Sequence, residues 1–235
     1  MNARHVAIVG ATGAVGREVL DVLAARRFPL RSLRLLASPR SAGQCLPFGG
    51  EMLPVEALGP DSFRGVDVAL FSAGGSVSKE HARHAVAAGA IVVDNSSAFR
   101  LDHGVPLVVP EVNAGALAGH RGLIANPNCS TILAALALWP LHRAAGLRAV
   151  IAATYQAASG AGQQAMAELR SSTAAVLRGE PAPPPHALPR SLAFNVFPQV
   201  DVFQPDGYTR EEDKLLHELR KILGLPQLRV DATCV

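Results

Sequence analysis

The chain has 235 residues, room for one large domain or two small ones, with 49% hydrophobic and 17% charged residues and a formal net charge of +3. It has no lysine run and no basic stripe interleaved with aromatics, and no apolar stretch approaches the roughly 20 residues of a membrane span, so neither nucleic acid nor a membrane is an expected partner. Three widely spaced cysteines, Cys45, Cys129 and Cys234, form no CxxC pair; no disulfide framework or metal site is expected, and with no targeting segment visible a reducing cytoplasm is the expected compartment.

The opening reads as a strand at residues 5–9, a glycine-rich turn at 10–16 and a helix at 17–26, where Val19, Leu20, Val22 and Leu23 keep helical spacing. A strand at 33–37, a hairpin-like stretch at 45–55 and a strand at 68–72 follow. Ser76 is expected to cap a helix running to Ala88 and closed by Gly89, and residues 91–94 read as a strand buried on both faces. Strands alternating with helices predict an α/β unit, a Rossmann-type doubly wound parallel sheet, over residues 1–128.

Beyond Asn128 the texture changes. Residues 131–145 form a long apolar helix, 148–155 a strand and 162–178 an alanine-rich amphipathic helix, and 180–190 a proline-rich loop. Thr209 and Glu212 make a capping box for a helix to residue 223, with Gly224 at its end and Pro226 after it. Residues 228–235 alternate like a strand, and the sequence stops inside it. An incomplete α+β domain is therefore expected over 129–235.

Two turns carry chemistry. Gly10, Gly13 and Gly16 set a GxxGxxG turn between strand and helix, where small residues let the backbone approach a pyrophosphate. The second strand ends in Ser38-Pro39-Arg40-Ser41, with no acid for ribose hydroxyls. Arg40 and Ser41 suit a 2′-phosphate, which favours NADP, although Arg40 also reads as an ordinary surface arginine. The second turn, Asn126-Pro127-Asn128-Cys129, delivers a cysteine to the start of the apolar helix. Orphan amides and the dipole there favour a thiolate, and the same amides are expected to hold an oxyanion on an attacked substrate. Most single cysteines are inert core residues, and Cys45 and Cys234 read as structural.

Taken together, GATGAVG, LLASPRSAG, ALFSAGGSVS, VVDNSSAFR, VPLVVPEVN, NPNCST, TYQAASGAG, FNVFPQVDVF and YTREEDK, in this order, resemble the aspartate-semialdehyde dehydrogenase family over nearly the whole chain. N-acetyl-γ-glutamyl-phosphate reductases share the fold and a cysteine but not this combination. The resemblance implies NADPH-dependent reduction of 4-aspartyl phosphate to aspartate 4-semialdehyde through a thioester on Cys129, in lysine, threonine and methionine biosynthesis. It implies that Gln156 orients substrate and Asn128 shapes the pocket beside the sulfur. Arg100 and Lys214 would bind phosphate, and Glu211 the substrate amine. For the cofactor it implies Gly10, Thr12, Gly13, Ala14 and Val15 at the pyrophosphate, Arg40 and Ser41 at the 2′-phosphate, and Ser72, Ala73, Gly74, Ser159 and Gly160 along the nucleotide. Residues 129–235 become a catalytic and dimerisation domain, and the expected assembly is a homodimer. Read without the family, Arg100 is a solvated arginine, Glu211 a dipole-compensating acid and Lys214 a surface charge.

Members of the family are expected to run about a hundred residues further, with a substrate-binding arginine and an acid–base histidine just beyond the last strand. The chain is accordingly read as the first two-thirds of such an enzyme. General acid–base help is typically worth about 10²–10⁴-fold, so a chain lacking it would turn over poorly, or would retain only nucleotide binding or pairing. None of the eight histidines is assigned that role: His81 and His84 read as surface positions on a helix, His186 lies in the proline-rich loop and His217 on the capped helix.

Overall fold

The computed structural model describes residues 2–235. Strand β1 (Arg4–Val9) leads through the glycine turn into α1 (Ala14–Ala25) and β2 (Leu30–Ala37), and a hairpin follows, β3 (Cys45–Phe48) and β4 (Glu51–Ala57). Then come β5 (Val68–Phe71), α2 (Gly75–Ala87), β6 (Ile91–Asp94), the short α3 (Pro110–Asn113) and β7 (Leu123–Ala125). These seven strands form one sheet in the order β3-β4-β2-β1-β5-β6-β7, parallel except for β3, which runs antiparallel to β4. The sheet is thus mixed at one edge and doubly wound elsewhere, as the alternation of elements predicts.

β1 shows why its sequence reads as unbroken apolar. Ala7 and Val9 point into a core shared with Phe63, Phe71, Ala82 and Val92, while Ile8 between them joins Leu20, Leu35 and Val55 on the other face. A strand covered on both faces has no polar positions to alternate with.

The second half contributes α4 (Cys129–Ala145), β8 (Ala149–Thr154), α5 (Gln163–Leu177), α6 (Arg210–Leu223) and β9 (Arg229–Cys234). β8 and β9 pair in parallel as a two-stranded sheet. The α6 stripe Leu215, Leu219, Ile222 and Leu223 is buried against Ala135 of α4, Leu228 and Ala232 of the β9 end, and Leu107, Val109 and Ala125 from the first half. At roughly 1.5–3 kcal/mol per fully buried large aliphatic side chain, this stripe is what fastens α6 across both halves.

Several expectations shift. α1 begins at Ala14, three residues earlier than the apolar spacing predicts, because Gly13 takes the N-cap position in extended conformation. Ser76 does not cap α2; Gly74 (φ 90°) is the N-cap and offers no side-chain hydrogen bond. Gly89 closes that helix at φ 94° as expected. β7 and α3, at three and four residues, were too short for any periodicity to announce. His81 is buried on α2 rather than at the surface, and Cys45 is exposed on the edge strand β3 rather than structural. Cys234 is buried, and burial pushes its thiol above the ordinary cysteine range.

Candidate active site

Two loops meet at the carboxyl ends of β1 and β5, where the strand order reverses direction. Gly10 (φ 87°) adopts a backbone conformation that L side chains rarely reach, and a Cβ there would stand 2.6 Å from the Ser72 carbonyl oxygen. That close approach sets Gly10 against Ser72 and Ala73, so the turn that continues through Thr12, Gly13, Ala14 and Val15 and the loop that continues to Gly74 start from one point. Neither α1 nor α2 has a side-chain cap or an acid in its first turn. Their opening amides are thus left to an anion, at the place in an open α/β sheet where nucleotides bind. A dinucleotide pyrophosphate fits this cradle, since glycine and uncapped amides line it. Arg40 and Ser41 follow β2 in a short 3₁₀ turn, Pro39–Ser41, with Arg40 exposed and no acid beside it.

The second cluster gathers around the start of α4. Asn128 is the N-cap: its Oδ1 accepts from the Ser130 and Thr131 amides at 2.9 and 3.3 Å. Cys129 occupies the first helical position and its thiol is exposed. Here the expectation of a set of orphan amides needs correction. The second and third are taken by Asn128, and Cys129's own amide is the one at this terminus with no partner among the described residues.

α6 supplies the opposite wall. The Glu211 side chain, 6% exposed, lies against the α4 cap: its Oε1 accepts from Asn128 Nδ2 (2.8 Å) and from Gln156 Nε2 (3.1 Å). Its Oε2 accepts from Lys214 Nζ at 3.0 Å. Gln156, just past β8, is aimed by Thr154, whose hydroxyl donates to its Oε1, and its backbone N–H donates to the Val235 carbonyl. Four residues, Asn128, Gln156, Glu211 and Lys214, the bond from Asn128 to Glu211 spanning 83 positions in sequence, are therefore hydrogen-bonded beside one cysteine. The readings of Glu211 as a dipole-compensating acid and of Lys214 as a surface charge do not survive this placement.

Arg100 is not solvated either. It is 8% exposed, and three of its N–H groups donate to the Asn126 and Asn95 carbonyls and to Glu218 Oε1 (3.0 Å). Two of a guanidinium's five N–H donors are left, enough for an anion on its open side. An apolar cavity of about 770 Å³ opens beside Gln156, lined also by Ala158, Gly160, Leu169, Phe197 and Asp201. Gly160, expected at the cofactor, and Gln156, expected at substrate, thus share one space, and Ser159 is exposed next to it.

Three residues escaped the sequence reading. Asp201 (φ 67°) accepts from Lys214 Nζ at 2.8 Å. Burial pulls the Lys214 ammonium down, but the Asp201 hydrogen bond and the Glu211 charge outweigh it and hold it above the usual lysine range. Burial pushes Asp201 up, and Lys214 with the Val202 amide more than reverses this, leaving it below the usual range. Asp94, fully buried at the end of β6, accepts from the Ser78 and Ser96 hydroxyls at 2.6 and 2.7 Å and fixes α2 to the loop that carries Arg100. The third is Glu218, seven residues after Glu211. The one available signal was spacing, since both fall on one face of α6, but a 3.6-residue period does not say which face is wet. The described residues contain no His, Cys, Asp and Glu cluster of metal-binding type, and no helix is long and apolar enough to cross a membrane.

A glycine turn with uncapped helix starts, an exposed cysteine at another helix start and a carboxylate-organised pocket together fit an oxidoreductase of the dehydrogenase class. Two family descriptions match along the chain: "Semialdehyde dehydrogenase, NAD binding domain" at residues 5–120 and "Semialdehyde dehydrogenase, dimerisation domain" at residues 138–235. Cys129 lies in the short stretch between them. The aspartate-semialdehyde dehydrogenase of Bacillus subtilis is 53% identical over 98% of this chain and 68% of its own length. The crystal structure of aspartate semialdehyde dehydrogenase II from Vibrio cholerae complexed with ASA superposes with a TM-score of 0.96 at 45% identity, covering 100% of this chain and 70% of that one. The enzyme from Candida albicans, solved with NADP, gives 0.72 at 25% identity, over 99% and 67%. The chain belongs to the aspartate-semialdehyde dehydrogenase family, oxidoreductases of amino-acid biosynthesis with an NAD(P)-binding domain.

Proposed function

We propose that Cys129 is the nucleophile of a reversible, NADP-linked conversion between 4-aspartyl phosphate and aspartate 4-semialdehyde, with residues 1–128 binding nucleotide and 129–235 carrying the chemistry. The observation that carries this reading is the pair of hydrogen bonds Glu211 Oε1 accepts, from the Asn128 cap and from Gln156, beside the exposed thiol. In the reductive direction Cys129 Sγ bonds to the acyl carbon, and the C–O bond breaks so that phosphate leaves with its electron pair. Bound NADPH supplies the hydride that reduces the acyl carbon. The C–S bond then breaks, the aldehyde departs and the sulfur is restored. Arg100 and Lys214 hold the phosphate, Glu211 the substrate ammonium, and Gln156 with the Cys129 amide the carbonyl oxygen as its charge grows.

NADP rather than NAD is supported by the exposed Arg40 with Ser41 and by the absence of an acid after β2. A homodimer is supported by the dimerisation-domain match. The test is phosphate-dependent oxidation of aspartate semialdehyde, followed by NADP reduction in parallel with NAD. Cys129→Ala is expected to abolish whatever phosphate-dependent turnover the unmodified chain shows, while leaving NADP binding within about two-fold. A Cys129→Ala protein that turned over like the unmodified chain would end the assignment of the nucleophile.

A further inference from the structure

Glu218 takes no part in the reaction as described, yet it is 1% exposed and both its oxygens are committed. Oε1 accepts from Arg100 Nη1 at 3.0 Å, and Oε2 accepts from the backbone N–H of Asn128 at 2.7 Å. One carboxylate thus bridges the arginine of the β6 loop to the residue that caps α4 and precedes Cys129. A lysine one turn along α6 grips the same loop from its backbone side: Lys221 Nζ donates to the carbonyls of Arg100, Asp102 and Val105 at 2.8, 3.0 and 2.8 Å. Burial lowers the Lys221 pKa, partly opposed by Asp102. A buried charge is costly unless it is paired and hydrogen-bonded, and here each carboxylate oxygen has one partner, the two together joining the two loops.

We infer that Glu218 is a positioning residue for anion binding. It sets the plane of the Arg100 guanidinium relative to Cys129, with Lys221 fixing the height of the loop that carries it. The inference rests on the phosphate-site reading of Arg100. Without the carboxylate, Arg100 keeps its carbonyl partners on Asn126 and Asn95 but loses the one contact that ties its guanidinium to α6 and, through the same carboxylate, to the Asn128 amide before Cys129. Glu218→Gln is the informative change. Its amide oxygen still accepts from the Asn128 N–H, and only the charge and the bond to Arg100 are lost.

The experiment is alkylation of Cys129 by iodoacetamide, followed on its own peptide by mass spectrometry, with inorganic phosphate titrated as protectant. No turnover is needed. Glu218→Gln is expected to raise the half-protecting phosphate concentration on the order of ten-fold, the scale of one charge-assisted hydrogen bond. In an Arg100→Met background the same change is expected to add little, because the two residues act through one another. Equal shifts in both backgrounds, or no shift in either, would overturn the positioning role while leaving the phosphate site standing if Arg100→Met alone weakens protection. Absence of protection in the unmodified protein, or protection indifferent to Arg100→Met, would overturn both readings. Should Glu218→Gln not unfold cooperatively, Lys221→Met carries the test: a several-fold rise in half-protecting phosphate supports the inference, and an unchanged value overturns it.

Discussion

Lys214 is expected to bind phosphate, yet in this structure its ammonium is held by two carboxylates, Glu211 and Asp201. The two differ in their ties. Glu211 is committed to Asn128 and Gln156 as well, whereas Asp201 has only Lys214 and its neighbour's amide, on a half-exposed loop. An arriving anion therefore displaces Asp201 first. Asp201→Asn is the clean probe, since asparagine tolerates the left-handed backbone at φ 67° and keeps the side-chain shape. It is expected to lower the half-protecting phosphate concentration several-fold in the alkylation titration. The pH dependence follows from the directions of the shifts. The depressed Asp201 pKa gives stability that is complete above the unfolded carboxylate value and lost as pH falls through the folded one. The raised Lys214 pKa gives stability that is complete below the unfolded lysine value and lost as pH rises through the folded one. The difference in melting temperature between the parent and Asp201→Asn should thus be flat between about pH 5 and 9 and shrink below about pH 4. A difference that grew in acid would mean that Asp201 is not paired as described.

At the scale of elements, α6 is where sequence and site meet. Its first turn is closed by a reciprocal cap, Glu212 Oε2 accepting from the Thr209 N–H at 2.6 Å and Thr209 Oγ1 from the Glu212 N–H at 3.4 Å. Glu212 does more than cap: its Oε1 accepts from the Cys234 amide at 2.8 Å and so anchors β9. Removing a cap costs about 1 kcal/mol, and leaving a buried amide without a partner adds about 1–3 kcal/mol. Thr209→Ala is therefore expected to cost about 1 kcal/mol in urea unfolding and Glu212→Ala clearly more; equal losses would show that the β9 contact is idle. This helix was legible in sequence because Thr209, Glu212 and Gly224 are local signals. The cysteine turn was legible for the same reason, as Asn128 lies immediately before the helix that it caps. What sequence could not supply was any contact made at a distance. The glycine turn announces an anion site, but only the fold shows Gly10 pressed against the Ser72 carbonyl. Arg100 read alone is a loop arginine, and only the crossing of α6 over the β6 and β7 loops buries it against Glu218. Ser76 reads as a cap because serine favours that place, whereas a backbone at φ 90° gives the position to Gly74.

The whole molecule leaves one surface unexplained by its own packing. β8 alternates in burial, and its outward residues include Ile151 at 88% exposure, with Tyr155 just beyond the strand at 83%. α4, called apolar from its sequence, likewise leaves Leu133 71% and Leu141 59% exposed. Single exposed aliphatics are ordinary, but Ile151 stands outward on β8, on the side away from the α4 and α6 core that Val150 and Ala152 join, and a residue so exposed on a strand face marks a contact surface. The homodimer proposed from the dimerisation-domain match over residues 138–235 would use this face. Ile151 pairs in register with Asp231 on β9, so Ile151→Glu would set a carboxylate beside a carboxylate in the middle of that face. The side chain packs against almost nothing within its own chain, so the substitution should leave the unfolding free energy within about 0.5 kcal/mol. Sedimentation velocity is expected to show the parent as a dimer and the variant as a monomer over the same concentrations. A variant that sedimented like a dimeric parent would show that the copies meet elsewhere, since a charge buried without a partner at an apolar interface costs several kcal/mol and does not go unnoticed.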